Sequence, residues 1–371
     1  MNSSEFQRNW PVTLFLILTP LIGLLGTAGV VALGWCSWWQ VLAMLVFAGL
    51  ANLGITAGYH RLLAHRAYEA HPVLEIILVL LGTASWQGPA LKWASDHRRH
   101  HKFEDRDEDP YAIKEGFWHA HMGWLMDQKF VDLPIQAPDL SVRKFLVWQD
   151  RHYIVLATLI GFVLPALIGW SLGSFWTGFF LGGVLRSVLN QHSSFVINSF
   201  CHMFGSKPYS SLISARDNFI LALMTHGEGY HNFHHTFQID YRNGVKWYQW
   251  DPTKWTIWTL STVGLTKKLK RISSAEILRA QLATQSLQLK AKGVSCEMLE
   301  SLQKTIVQGQ LRLKTLGEEY QKTKAQWAQA STDRIDELRS DMERTQEEVR
   351  HAMRLWQIEF RFACQRAMIN Y

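Results

Sequence analysis

Runs without charge dominate the N-terminal half of the chain. Residues 11–34 and 39–58 carry no charged side chain, and 154–172 and 175–197 form a second apolar pair, interrupted only by Arg186. Each has the roughly 20 residues that a helix needs to cross a bilayer core. The connectors are short and uncharged: Trp35-Cys36-Ser37-Trp38-Trp39 reads as an aromatic interfacial belt, and Ser171 to Ser174 closes the second pair. The pattern predicts four transmembrane helices in two hairpins, with all outer ends on one side. A fifth apolar stretch, 73–91, holds Glu75, Trp86, Gln87 and Pro89. It is expected to be re-entrant, surface-lying or packed in protein, because a single crossing would separate the segments on either side of it. Residues 92–150 are polar. Beyond Asp251-Pro252-Thr253 the composition changes, and 273–365 is rich in Gln, Glu, Lys, Arg, Leu and Ala. Ser273-Ser274-Ala275-Glu276 reads as a capping box. Gly293 with Ser295 marks a break. Leu299, Leu302, Ile306, Leu313, Leu316, Tyr320 and Trp327 keep a rough heptad spacing, broken at Ser331-Thr332-Asp333 and resumed from Ile335 to Trp356. The expectation is an all-α membrane protein over 1–272, followed by a C-terminal helical hairpin over 273–371.

Composition changes this picture little. Of 371 residues, 48% are hydrophobic, yet mean hydropathy is near zero, because an apolar half and a polar tail average out. The net charge of +7 flanks apolar spans, which fits a cytoplasmic membrane face better than nucleic acid. Cys36, Cys201, Cys296 and Cys364 form no CxxC pair, so neither a cysteine zinc site nor a disulfide framework is expected.

The chemistry is carried by histidine. His60-Arg61-Leu62-Leu63-Ala64-His65 follows directly on the second apolar run. His97-Arg98-Arg99-His100-His101 and His231-Asn232-Phe233-His234-His235 repeat one another's spacing. On a helix, positions i, i+3 and i+4 lie side by side, so each box presents imidazoles to one point. Eight clustered nitrogen donors exceed what one metal needs and suggest two. Asp96, Glu228 and Asp240 are candidates to orient ligand rings by accepting the second ring N–H. Asp105, Asp107, Glu108 and Asp109 read as a solvated loop. His71, His119, His121, His152, His226 and His351 are not expected to be ligands, and His192 has no assignment.

These boxes resemble those of the membrane fatty acyl desaturases, in particular the Δ9 acyl-CoA branch, over about residues 10–265. Gly54-Ile55-Thr56-Ala57-Gly58 before the first box, Asp96 before the second, Gly227-Glu228-Gly229 before the third, and Asn198-Ser199-Phe200-Cys201-His202 at the end of the fourth run share in the likeness. The resemblance implies a cytoplasmic di-iron site held by His60, His65, His97, His100, His101, His202, His231, His234 and His235, with Asn198 acting through a metal-bound water. It implies dioxygen as co-substrate, two external electrons, and a cis double bond, at Δ9, in a saturated fatty acyl chain carried as a CoA thioester. A dry site is required, so that the oxidant meets only substrate. Many eukaryotic members carry a haem module with an HPGG motif. The only His-Pro here is His71-Pro72, flanked by Ala70 and Val73. A separate ferredoxin, cytochrome b5 or reductase is therefore expected, in a bacterial inner membrane.

Helical spacing suggests where the substrate lies. Met44, Ala48, Asn52 and Thr56 precede His60 at intervals of four, and Met44 and Ala48 are expected to limit acyl length. Arg186, Asn190, Ser194, Asn198 and His202 form a second such row, read as a polar face leading to the metals. Arg98, Lys102 and Lys129 are candidates for the thioester's phosphates. The competing functions are a hydroxylase or ketolase of the same histidine-box type, and a non-catalytic membrane metal-binding protein. The tail offers no redox chemistry and is expected to dock a partner or self-associate.

Overall fold

The computed structural model describes residues 7–325 and 332–369. Trp327 and Ser331 lie outside the described residues. Two compact units emerge: Met1–Ser206 with Ile213–Arg271, and Lys207–Leu212 with Ile272–Tyr371.

The first unit is built on helices. α1 spans Trp10–Ala32, entered through Asn9, whose side chain caps Val12 N, with Pro11 in the first turn. α2 spans Trp38–Ala64 and begins with a capping box between Ser37 and Gln40. Its last eleven residues, Gly54–Ala64, are wound as a π-helix. α3, Pro72–Thr83, has 12 residues. At 1.5 Å per residue that is roughly 18 Å, too short for the ~30 Å of a bilayer core. It turns back through residues 84–89 into α4, Ala90–Phe103. α3 can lie against α2 because glycines meet there: a Cβ on Gly54 would sit 2.1 Å from Gly82 N.

After several short helices between residues 113 and 151, α5 spans Tyr153–Ser171 and α6 runs unbroken over 175–203. The two hairpins, α1–α2 and α5–α6, are tied at their connectors. Gln40 Nε2 donates to Gly169 O (3.2 Å) and Ser174 O (3.3 Å), and Thr177 Oγ1 donates to Trp35 O. Both connectors therefore lie at one end of the bundle.

Three of these helices, α1, α2 and α5, are long and apolar enough to cross a membrane. The expected fourth, α6, is apolar only in its first turns. Its middle buries Arg186, Asn190 and Gln191 against protein. Arg186 donates to the carbonyls of Gly182, Ala84 and Gly161 and to Asn190 Oδ1, and its guanidinium lies 4.7 Å from the Phe47 ring centroid. Such a buried cation is tolerated because neighbouring helices supply the acceptors. The upper half of the predicted polar row is thus spent on helix–helix bonds.

Two short helices follow, α7 (Phe219–Met224) and α8 (His231–Thr236), then α9 (Pro252–Thr262) capped by Asp251. One two-stranded antiparallel pair, β1 (Glu69–Ala70) with β2 (Thr266–Lys267), holds the segment after α9 to the end of the first box. The core centres on the π-turn of α2, where Tyr59, Leu63, Val79, Ala94, Leu146 and Ile257 are fully buried.

The second unit contains α10 (Ser274–Lys290), α11 (Glu297–Ala325) and α12 (Thr332–Ile369). Ser273 and Glu276 form the capping box that opens α10, and Gly293, at φ +74°, turns the chain. α11 and α12 are antiparallel: Arg334 pairs with Glu319 near the turn, and Val349 packs on Gly309 further down. Leu282, Leu299, Ile306 and Trp356 belong to their shared core, so the expected hairpin is a three-helix unit once α10 is counted.

Candidate metal centre and cavity

The end of α2, the length of α4, the last turn of α6 and the whole of α8 converge. Together they bring nine imidazoles into two groups. Nitrogens of His60, His65, His97, His101 and His234 all lie within 4.8 Å of one another, as do those of His100, His202, His231 and His235. All are buried except His101, which is partly so. Every histidine in the three boxes is included, and so is His202. Boxes one and two meet directly, with His65 Nε2 2.9 Å from His97 Nε2. The segment 73–91 between them therefore does not carry them apart.

The donor geometry suits cations. His60 Nδ1 lies 2.9 Å from Glu228, His100 Nδ1 lies 2.9 Å from Asp109, and His235 Nδ1 lies 2.7 Å from Glu104. His97 Nδ1 contacts Tyr111 Oη (3.2 Å), and His202 Nδ1 contacts Ser214 Oγ (2.6 Å). A ring whose proton is on Nδ1 presents a lone pair at Nε2. Those Nε2 atoms face one another: 3.0 Å for His60–His234 and His101–His234, 3.1 Å for His97–His101 and His202–His231. Nε2 of His100 and of His235 is buried with no hydrogen-bond partner. Buried ring nitrogens this close together, two of them without a partner, are costly by themselves and favourable around a metal.

Protonation follows the same logic. Burial, and then the neighbouring imidazoles, hold His65, His97, His101, His234 and His235 well below the usual histidine range. Burial and His100 bring His231 down to about 3. These rings are neutral at physiological pH, the form that binds metal. His100 is the exception: burial works against its charge, but Asp109 outweighs it and raises the pKa. Burial also disfavours ionised Glu228, yet Arg61 and His60 overcome it and hold the carboxyl at about 2. Arg61 is itself fully buried, donating to Glu228 (2.8 Å) and Asp251 (3.1 Å) and to Tyr241 O.

Of the three carboxylates expected to orient ligand rings, only Glu228 does so. Asp96 accepts from Lys92 Nζ with both oxygens at 2.6 Å, and Asp240 is held by Arg242. Asp109 and Glu104 take the role instead, although the acidic run around Asp109 reads as solvated. Asp109 is only 3% exposed. Asp105, in the same run, accepts from Ser214 N and Oγ, supporting His202 from behind.

Beside both groups lies a largely apolar cavity of about 480 Å³, with His60, His97, His231, Glu228 and Asn198 in its wall. Asn52, Thr56 and Ser194 also line it, with Phe15, Leu16, Ile55, Trp93 and Phe195. Met44 does not. It faces a separate small gap with Gln40 and Phe47, while Ala48 O accepts a hydrogen bond from Asn190 Nδ2. Asn190 is thereby occupied at the helix interface, outside the cavity wall. Arg98 is committed to Asp139 and to the carbonyls of Leu63 and Ala64. Lys102 and Lys129 are exposed, each over its neighbouring phenylalanine ring. His121 and His192 pair with each other at 3.1 Å, and His226 contacts Asn52; none of the three joins either metal-binding group.

A fatty acid desaturase family model matches residues 36–261. The chain is 42% identical over 243 residues to a probable acyl-CoA desaturase of Schizosaccharomyces pombe, covering 63% of this chain and 49% of that one. It is 40% identical over 253 residues to acyl-CoA desaturase 1 of Saccharomyces cerevisiae, covering 66% and 49%. Against stearoyl-CoA desaturase 5 of Homo sapiens the identity is 37% over 235 residues, covering 62% and 71%. The chain thus spans about half the length of the two yeast relatives.

Proposed function

Because the chain belongs to the fatty acid desaturase family, we propose that it is an oxygen-dependent di-iron desaturase placing a cis double bond, at Δ9, in a saturated fatty acyl chain presented as a CoA thioester. One observation carries the reading: nine imidazoles in two groups open onto an apolar cavity. His60, His65, His97, His101 and His234 would hold one iron, and His100, His202, His231 and His235 the other, with Asn198 reaching the second through water. Iron held there supplies the oxidising power that no side chain has for breaking an unactivated C–H bond.

The rest falls to the protein. Glu228, Asp109 and Glu104 keep the ring proton on Nδ1, so that Nε2 faces inward. Phe15, Ile55, Trp93 and Phe195 hold the acyl chain and exclude water, which confines the oxidant to substrate. The balance is one dioxygen, two electrons and two protons, consumed to convert –CH₂–CH₂– into –CH=CH– and two waters. An electron donor such as a ferredoxin, cytochrome b5 or reductase must supply the electrons.

We place the metal groups on the cytoplasmic face of a membrane. The relatives named above are eukaryotic, so the expected bacterial inner membrane gains no support from them. Self-association through the second unit belongs to the same proposal, supported by Leu355, Ile358 and Phe362, which lie exposed along α12.

The test is expression in a host that makes no unsaturated fatty acids, with mass-spectrometric mapping of new double bonds. A His101→Ala variant should make none. An alcohol or ketone in place of the double bond would establish a hydroxylase or ketolase. Bound metal without oxygen consumption would establish a non-catalytic protein.

A further inference from the structure

The lining of the cavity reaches the surface of the protein at two residues. Among the residues that line it, only Pro11 and Ile154 are exposed; all others are buried or partly buried. Pro11 is in the first turn of α1 and Ile154 in the first turn of α5. Both helices are long and apolar enough to cross a membrane, and both begin at the end of the bundle opposite the tied connectors. Ile154 is 64% exposed although it lines the cavity; its chain neighbour Val155 is exposed too, and Trp10 and Leu14, beside Pro11 in the first turns of α1, are exposed and apolar. Trp86 forms the floor between the two helices, stacked on Phe15 (5.1 Å) and on Phe162 (4.8 Å), with Tyr153 edge-on. The opening therefore lies between two spans, at the depth where their apolar runs begin, which is the bilayer interface.

We propose that this gap is a lateral entrance through which a long acyl chain passes from the membrane leaflet into the cavity, without crossing water. The inference rests on the desaturase reading and names the substrate class more narrowly, as an acyl amphiphile already held in the bilayer. The physical reason is that each methylene exposed to water costs free energy. A route with lipid tails on one side and Val12, Phe15 and Leu16 on the other exposes none. The polar head would meet the polar part of the lining, Gln87 and the Lys92–Asp96 pair. Two sources share this chemistry: a CoA thioester dissolved in the leaflet and an intact phospholipid.

The test uses the full chain in phosphatidylcholine vesicles. A saturated chain with a terminal diazirine is supplied either as its CoA thioester or esterified in phosphatidylcholine. After illumination, adducts are mapped by mass spectrometry. In the wild type, adducts should reach Ile55 or Phe195 from one source or both, and this identifies the source. Ile154→Trp and Val12→Trp narrow the mouth. They should lower that deep labelling by on the order of tenfold, the factor that ~1.4 kcal/mol of crowding imposes. Val155→Trp, adjacent but outside the lining, should not. Deep labelling and product formation at wild-type rates in both Ile154→Trp and Val12→Trp would overturn the entrance and leave the desaturase reading intact. Deep labelling that stays sensitive to Ile154→Trp, with no unsaturated product from the wild type, would do the reverse.

Discussion

At the scale of single residues, three ligand rings have their Nδ1 side set by a carboxylate: His60 by Glu228, His100 by Asp109 and His235 by Glu104. The i, i+3, i+4 spacing of His97, His100 and His101 and of His231, His234 and His235 specifies a ligand face wherever the segment is helical, and α4 and α8 are. Nothing local marks Asp109. It sits among Asp105, Asp107 and Glu108 in a run that looks solvated, and only the fold buries it 2.9 Å from His100 Nδ1. Asp96 and Asp240 looked better placed beside their boxes, but Lys92 and Arg242 claim them. Asp109 can be tested directly. Asp109→Ala removes the acceptor that fixes the His100 ring, and lost ring-orienting partners typically cost 10–100-fold in metal affinity. Metal retained per chain after dialysis against graded chelator should show a loss of that order. Asp240→Ala should stay near the wild-type value, since its carboxylate holds an arginine.

At the scale of elements, two rows read from helical spacing assumed a uniform helix, and the structure divides each of them between the cavity and helix contacts. The row Met44, Ala48, Asn52, Thr56 and His60 assumes α-helical phase throughout. Gly54–Ala64 is π-wound, with a wider turn, so a row counted at intervals of four does not keep one phase through it. Asn52 still reaches the cavity, while Met44 and Ala48 do not. In α6, Arg186 and Asn190 bond to Ala84, Gly161 and Ala48 on neighbouring segments, and within that row Ser194 and Asn198 line the cavity. Segment 73–91 was the easier case, because two boxes that share a site cannot be separated by a crossing. The close approach of α2 and α3 is what keeps α3 beside the first box. A methyl at Gly54 would overlap Gly82 N and Leu81 C, both backbone atoms that cannot swing aside. Gly54→Ala should therefore cost about 1–3 kcal/mol, the usual penalty of overpacking, and loosen metal binding at the group containing His60 and His65. Gly29→Ala meets nothing within 4 Å and should be neutral or slightly stabilising in thermal unfolding.

At the scale of the whole molecule, the question is what the second unit contributes. Its heptads were visible in the sequence, but its composition was not: residues 207–212, far away in the chain, belong to it, and Gln288 Nε2 donates to Lys207 O. No local pattern announces such a contact, because one partner is a backbone carbonyl and the other an ordinary polar helix residue. All nine clustered histidines, and the acceptors Glu104, Asp109, Ser214 and Glu228, fall in the first unit. Truncation after Arg271 should therefore leave the metal-to-chain ratio unchanged in elemental analysis. The same truncation removes the helices with which residues 207–212 pack, so that this loop should become the first site of limited proteolysis while the metal stays bound. Loss of metal on truncation would mean that the ligand set depends on the helical unit. An uncut loop would mean that residues 207–212 hold their place without it.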